Sequence, residues 1–214
     1  MPPLTPSASQ SRLSKIARLG FPVIAALFIV TLFIPRHHPA EVKLGRYAEV
    51  PPFSLTERGD QTITNHDLEG KIWVADFVFT TCPGPCPIIS ANMAKLQRQL
   101  VGDSRVQLVS FTVDPQDDTP AVLAAYASHL GADSQKWWFL TGPEKPLYDL
   151  IQHGFLQSLE DNHGKHLEPG EFLVTHSTYM VLVDSHGVIR GFFSGLDEEG
   201  QASLLSGIRQ LENE

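Results

Sequence analysis

Two cysteines, Cys82 and Cys86, are the only ones in the 214-residue chain, and they stand in Thr81-Cys82-Pro83-Gly84-Pro85-Cys86-Pro87. A thiolate is both a nucleophile and a soft metal ligand, so the pair could close a disulfide or hold a soft metal. The apolar run Ile72 to Phe79 leads directly into this turn. A buried strand there would deliver both sulfurs to the C-terminal edge of a sheet, where α/β folds keep their sites. Cys86 is expected at a helix N-terminus, whose amides and dipole should lower its pKa.

Two sulfurs rarely complete a metal site, so a third donor is sought among the nine histidines. His37 and His38 precede the domain; His66, His129 and His153 fall near helix or turn positions; His163, His166 and His186 lie in polar loops. His176 differs, standing in Val174-Thr175-His176-Ser177-Thr178-Tyr179 just ahead of a late apolar run. A lone histidine there is as readily a hydrogen-bonded core residue as a ligand, and composition does not choose between them.

The elements that must position these groups alternate strand and helix. That order predicts an α/β fold, a mostly parallel or mixed sheet covered on both faces. Phe53-Ser54-Leu55 and Thr62-Ile63-Thr64 read as a leading hairpin, Ile72 to Phe79 as a buried strand, and Pro87 to Leu100 as a helix with Ile88, Met93, Leu96 and Leu100 inward. Val106 to Val113 is the next strand. Thr119 caps a helix with Pro120 at its first position, and Val122, Leu123, Tyr126 and Leu130 face the core before Gly131. A strand Trp137 to Leu140, a helix Lys145 to His153, a hairpin turned at Asp184-Ser185-His186-Gly187 and a helix Glu198 to Leu211 complete the order.

Thiols after the first long strand, with a late hairpin before the last helix, make a thioredoxin-like arrangement. In that fold the loop ahead of the hairpin packs against the cysteine turn, and this singles out His176. Redox turns of the thioredoxin type separate their cysteines by two residues. Pro83-Gly84-Pro85 supplies three, which can widen the turn until both sulfurs face one external atom.

The compartment is read from the N-terminus. Leu19 to Ile34 carries no charge and is bracketed by Arg18 and Arg36. At ~1.5 Å per residue it falls slightly short of a ~30 Å hydrocarbon core, and Ala17 and Pro35 extend it. Arg12, Lys15 and Arg18 precede it without an acidic residue, so the N-terminus is expected in the cytoplasm and the rest of the chain outside. A cleaved signal peptide is the alternative, but Phe33-Ile34-Pro35-Arg36-His37 offers no small-x-small site. The expected organisation is a cytoplasmic segment 1–18, a single transmembrane helix 19–35, a polar linker 36–52 and one domain 53–214. The short leader, without a long Arg- and Ser-rich transit segment, favours a bacterial inner membrane with the domain in the periplasm. A net charge of −8 argues against nucleic acid or an anionic membrane surface as a main partner.

Three separated motifs carry a resemblance. Asp76 to Pro87 (DFVFTTCPGPCP), Ser110-Phe111-Thr112-Val113-Asp114-Pro115 ending in Asp118-Thr119-Pro120, and His176-Ser177 followed by Leu182-Val183-Asp184 together resemble the Sco/SenC family, membrane-tethered copper proteins of cytochrome c oxidase assembly. The match spans essentially all of Phe53 to Leu211. The resemblance implies copper as the metal, with Cys82, Cys86 and His176 as its ligands. It also implies an acidic loop at Asp114 to Asp118, in which Asp114 would orient the site or a partner; turn and helix-cap formation account for the same acids. The implied partners are the copper-bearing subunit of cytochrome c oxidase, a copper-donor chaperone and a thiol reductant. Two thiolates and an imidazole favour Cu(I), and hold Cu(II) when water or another oxygen donor is added. Zinc also accepts such a set.

The implied function is that of a metallochaperone rather than an enzyme. A thiol-disulfide reductase that keeps the client's copper-ligand cysteines reduced is the alternative. Such reductases generally present a proline just before the late strand, and Leu173 to Asp184 holds none. A thiol peroxidase fits poorly, because peroxiredoxins place Thr three residues before the reactive Cys and that position here is Phe79.

Overall fold

The structure is a computed structural model and describes residues 42–162 and 174–214. The expected cytoplasmic segment and transmembrane helix, the first part of the linker and most of the loop Asp161 to Glu171 lie outside these residues. Among the described residues no helix is long and apolar enough to cross a membrane.

The leading hairpin forms as read: β1 (Ser54–Glu57) and β2 (Thr62–Thr64) pair antiparallel with Leu55 opposite Ile63. β3 (Ile72–Val78) follows, then α1 (Cys86–Gln99), β4 (Val106–Thr112), α2 (Pro120–His129) and β5 (Trp137–Thr141). Next come α3 (Glu144–Asp149), a π-helical turn Leu150–Gly154, and the short strands β6 (Leu159–Asp161) and β7 (Val174–His176). β8 (Tyr179–Val183), β9 (Ile189–Ser194) and α4 (Glu198–Leu211) close the domain.

Seven strands form one sheet in the order β2-β1-β5-β4-β3-β8-β9, with β6 and β7 as a separate ladder. β3, β4 and β5 run parallel, while β1, β8 and β9 run antiparallel to their neighbours. β3 and β4 are buried at every position, which accounts for their continuous apolar runs where a half-exposed strand would alternate. Each face carries its own core. Ile72 and Val74 pack with Ile89, Met93 and Leu96 of α1, Leu123 of α2, and Leu204 and Ile208 of α4. On the other face Trp73, Ala75 and Phe77 meet Leu147, Leu150, Ile151 and Phe155. Phe77, Phe111 and Phe155 stack or tilt against one another with centroids 4.9 to 6.0 Å apart.

Two expected inward positions point outward instead. Ile88 is 50% exposed and Ile89 is 1% exposed. α1 starts at Cys86, and Ile89, Met93, Leu96 and Leu100 follow one another along a single face at helical spacing. Val122 likewise points outward, and Leu123 and Ala127 carry the contact of α2. The helix expected from Lys145 to His153 is divided between α3 and the π-helical turn. Sequence pattern did not foresee the β6–β7 ladder.

The described half of the linker lies along the outer edge of β9. Gly45 and Tyr47 donate to the carbonyls of Arg190 and Ile189, Ile189 donates to Ala48, and Val50 donates to Gly187. The Arg190 guanidinium adds a 2.7 Å bond to the Gly45 carbonyl. An edge strand presents unpaired amides and carbonyls that invite another chain, and here the protein covers that edge itself.

Candidate metal centre

β3 ends at Val78, whose carbonyl still accepts from the Val113 amide at 2.9 Å, and the chain then turns through residues 79–85 into α1. Prolines at 83, 85 and 87 bring no amide donors. Pro85 occupies the N-cap position of α1 and has no side chain to cap it. Three amides of the turn serve the sulfurs: those of Gly84 and Cys86 donate to Cys82, and that of Phe79 donates to Cys86. The Cys82 sulfur therefore does what an N-cap oxygen does elsewhere.

Both cysteines are free thiols, Cys86 fully buried and Cys82 8% exposed. The S–H of Cys86 donates to Cys82 and, with the two amides, holds Cys82 down at about 6 against the opposing effect of burial. Cys86 is pushed far above the ordinary thiol range, first because it donates its proton to Cys82 and then because it is buried. The expectation for Cys86 is thereby corrected. The amides at the start of α1 act on Cys82, which lies just beyond the helix end, while Cys86 sits inside the first turn and keeps its proton.

β7 brings in His176, which pairs with Leu159 of β6. Its Nδ1 lies 2.8 Å from the Ser177 carbonyl and donates to it. That bond leaves Nε2 without a proton, 3.4 Å from Cys86 Sγ. Phe79 meets the imidazole edge-on with ring centroids 6.0 Å apart. Burial holds His176 below the ordinary histidine value, and the Ser177 carbonyl opposes that shift. A neutral imidazole with its lone pair turned to a thiol is the form that binds a metal.

Among the described residues no three Cys, His, Asp or Glu side chains are already arranged to hold a metal ion. The three residues singled out by sequence instead lie in a row, with Cys86 between Cys82, to which it donates its proton, and His176, whose Nε2 lies 3.4 Å from its sulfur. Asp114 is 1% exposed. Its amide donates to Thr112 Oγ1 and its carbonyl accepts from the Asp118 amide, both at 2.9 Å, so its backbone shapes the turn after β4.

Two further acids lie near the thiols, neither named as a site residue from sequence. Asp118 accepts from the hydroxyls of Thr80 and Thr112 and from the Thr80 amide. Its sequence signal is slight, an acid directly before the Thr119-Pro120 cap. Asp76 in β3 is fully buried, with Oδ1 accepting from Ser110 Oγ at 2.5 Å and Oδ2 without a hydrogen-bond partner. Burial raises Asp76 to about 7, and its charge acts on both Cys86 and Tyr126.

Comparison with known proteins agrees with this fold. The SCO1/SenC family model matches residues 42–211. The structure of a SCO1/SenC family lipoprotein from Bacillus anthracis aligns with a TM-score of 0.70 and 30% identity, covering 79% of this chain and 98% of its own. BsSco, described as a member of the Sco family of cytochrome c oxidase assembly proteins in which a disulfide switch was identified, aligns with a TM-score of 0.65 and 27% identity over 80% of this chain and 97% of its own. A Stutzerimonas stutzeri protein named as a candidate copper-binding protein is 32% identical over 150 residues, 69% of this chain and 70% of its own.

Proposed function

This chain belongs to the SCO1/SenC family, and from that membership we propose that it is a copper chaperone that delivers copper to the dinuclear centre of cytochrome c oxidase. The observation that carries the reading is the 3.4 Å approach of His176 Nε2 to Cys86 Sγ, which sets an imidazole donor against a pair of thiols. The name of the Stutzerimonas relative supports copper, and the description of BsSco supports oxidase assembly. Cys82, Cys86 and His176 are the proposed ligands. Two thiolates and an imidazole suit Cu(I) and hold Cu(II) with an added oxygen donor.

Loading exchanges a proton for the metal. Cys82 is a thiolate at neutral pH, its value being about 6, and offers the first ligand. Its hydrogen bond to Cys82, and then its burial, keep Cys86 protonated in the metal-free protein; a bound cation would compensate the buried thiolate and the proton would leave. With three ligands and an open side, an incoming client thiolate displaces one donor before the others release. The proposed setting is the bacterial inner membrane, with 19–35 as the single-pass anchor and the domain in the periplasm. A copper-donor chaperone would load the site, a thiol reductant would keep it receptive, and the copper-bearing oxidase subunit would receive the metal.

The test is a titration of the reduced soluble domain, Val42 onward, with Cu(I) against a competing chelator, repeated with His176→Ala. The wild type should compete and His176→Ala should bind about 10–100-fold more weakly, the usual effect of disturbing a ligand set. A wild type that does not compete, or a variant that binds equally well, ends the three-ligand reading. A thiol-disulfide reductase is favoured by one observation, the thiolate character of Cys82. Reduction of a client peptide disulfide should then survive His176→Ala, and loss of turnover in that variant would count against it.

A further inference from the structure

We propose that Asp118 is a positioning residue that holds the Cys82 sulfur against Cys86. The inference deepens the copper reading, and one arm of its test does not depend on that reading.

The two central strands part just above the thiols. β3 and β4 are paired through Val78 and Thr112. Just beyond, the carboxylate of Asp118 occupies the split between them and is 1% exposed. Its Oδ1 accepts from Thr80 Oγ1 at 2.5 Å and its Oδ2 from Thr112 Oγ1 at 2.5 Å, while the Thr80 amide lies 3.3 and 3.2 Å from the two oxygens. Thr80 stands two residues before Cys82, so moving it moves the sulfur.

The thiol turn has few other ties. The Cys82 amide donates to the Phe79 carbonyl at 3.2 Å. The amides of Gly84 and Cys86 serve the Cys82 sulfur itself, and the three prolines donate nothing. Asp118, in contrast, stands on a firm base. Its amide bonds to the Asp114 carbonyl, and the next two residues are the Thr119 cap and Pro120 of α2. The two oxygens of Asp118 accept from all three donors and so fix their directions; an amide in its place offers one accepting oxygen, and the second position then meets a donor. Glue for the fold could sit anywhere along the paired strands. This carboxylate grips the root of the turn that carries Cys82.

The test uses Asp118→Asn and Thr80→Val, with Arg190→Ala as a control. Arg190 bonds Asp184, Glu214 and the Gly45 carbonyl beside the start of β9, so its loss should lower the Tm without reaching the thiol turn. In metal-free protein, the equilibrium constant for closing the Cys82–Cys86 disulfide against dithiothreitol should shift about tenfold in both variants, the size of one charge-assisted hydrogen bond. Cu(I) affinity should fall about 10–100-fold. Arg190→Ala should keep both constants at wild-type values.

Wild-type constants in Asp118→Asn and Thr80→Val would overturn the inference, as would changes that merely track Tm across all three variants. If Asp118→Asn does not fold, Thr80→Val, which removes one hydroxyl, decides. If wild-type protein fails to bind Cu(I), the copper reading falls, and the disulfide constant still decides the role of Asp118.

Discussion

Replacing Asp76 with Asn should make the domain more tolerant of rising pH. The carboxyl is fully buried, one oxygen accepts from Ser110 and the other has no hydrogen-bond partner, and burial raises it from 3.8 to about 7. In the unfolded chain it titrates near ~3.9. Between those values the folded state holds a proton that the unfolded state has lost, so this group's contribution to stability is intact below about pH 4 and is lost as pH rises towards 7. About three pH units at ~1.36 kcal/mol each give roughly 4 kcal/mol. Asn stays neutral and can still accept from Ser110. Its unpartnered amide costs about 1–3 kcal/mol, but equally at every pH. The assay is guanidinium unfolding of the reduced, metal-free domain from Val42, followed at steps between about pH 4 and 7.5. Carboxylates held low, such as Asp67 and Asp103, add stability in the opposite direction, are common to both proteins and cancel in the difference. The wild type should lose about 3–4 kcal/mol relative to Asp76→Asn across that range. Parallel curves would refute the reasoning.

Two other outcomes follow from the same geometry. Iodoacetamide should alkylate Cys82 of the reduced, metal-free protein with a rate that rises through a midpoint near about 6, while buried Cys86 stays unreactive; Cys86→Ala should move the midpoint upward, and a wild-type midpoint near the ~8.5 of an ordinary thiol would contradict the hydrogen bonds drawn to that sulfur. Gly200→Ala should destabilise the domain although alanine is the better helix former by about 1 kcal/mol. A Cβ there would run into the Ser194 carbonyl, and such overpacking costs about 1–3 kcal/mol; a variant as stable as wild type in urea unfolding would show that α4 can shift off β9.

What could be read in advance was whatever depends on local pattern. β3 and β4 were legible because burial on both faces leaves an unbroken apolar run, and α2 because Thr119 caps it, accepting from the Val122 amide at 3.4 Å. His176 was reached through the order of elements, since nothing in its immediate neighbours marks a ligand. Where contacts cross long stretches of chain, the pattern is silent. Asp118 meets Thr80 across 38 residues, and its own surroundings announce only a helix cap. Which thiol carries the negative charge depends on where four donors point and how deep each sulfur lies, and spacing reports neither. Ile88 and Ile89 are chemically identical neighbours, and a rotation of about 100° per residue decides which is buried. Val42, Leu44, Ala48 and Val50 alternate with polar residues and pack on the core, a strand-like signal of the attachment to β9 that the polar-linker reading passed over because of the flanking prolines.

That attachment limits how a client can be recognised. Many extended peptides bind by adding a strand to a free sheet edge, where the backbone supplies the affinity. On one side of this sheet the start of the β9 edge, at Ile189 and Arg190, is occupied by residues 45–48 of the same chain. On the other side the edge is β2, only three residues long. Strand addition to the main sheet has little to hold. A client of the proposed chaperone would then meet the domain end-on, at the strand ends where Cys82 and Cys86 lie, and be told apart by side chains such as the exposed Ile88. Its grip is then built from side chains around the thiols, so discrimination and exchange share one small surface.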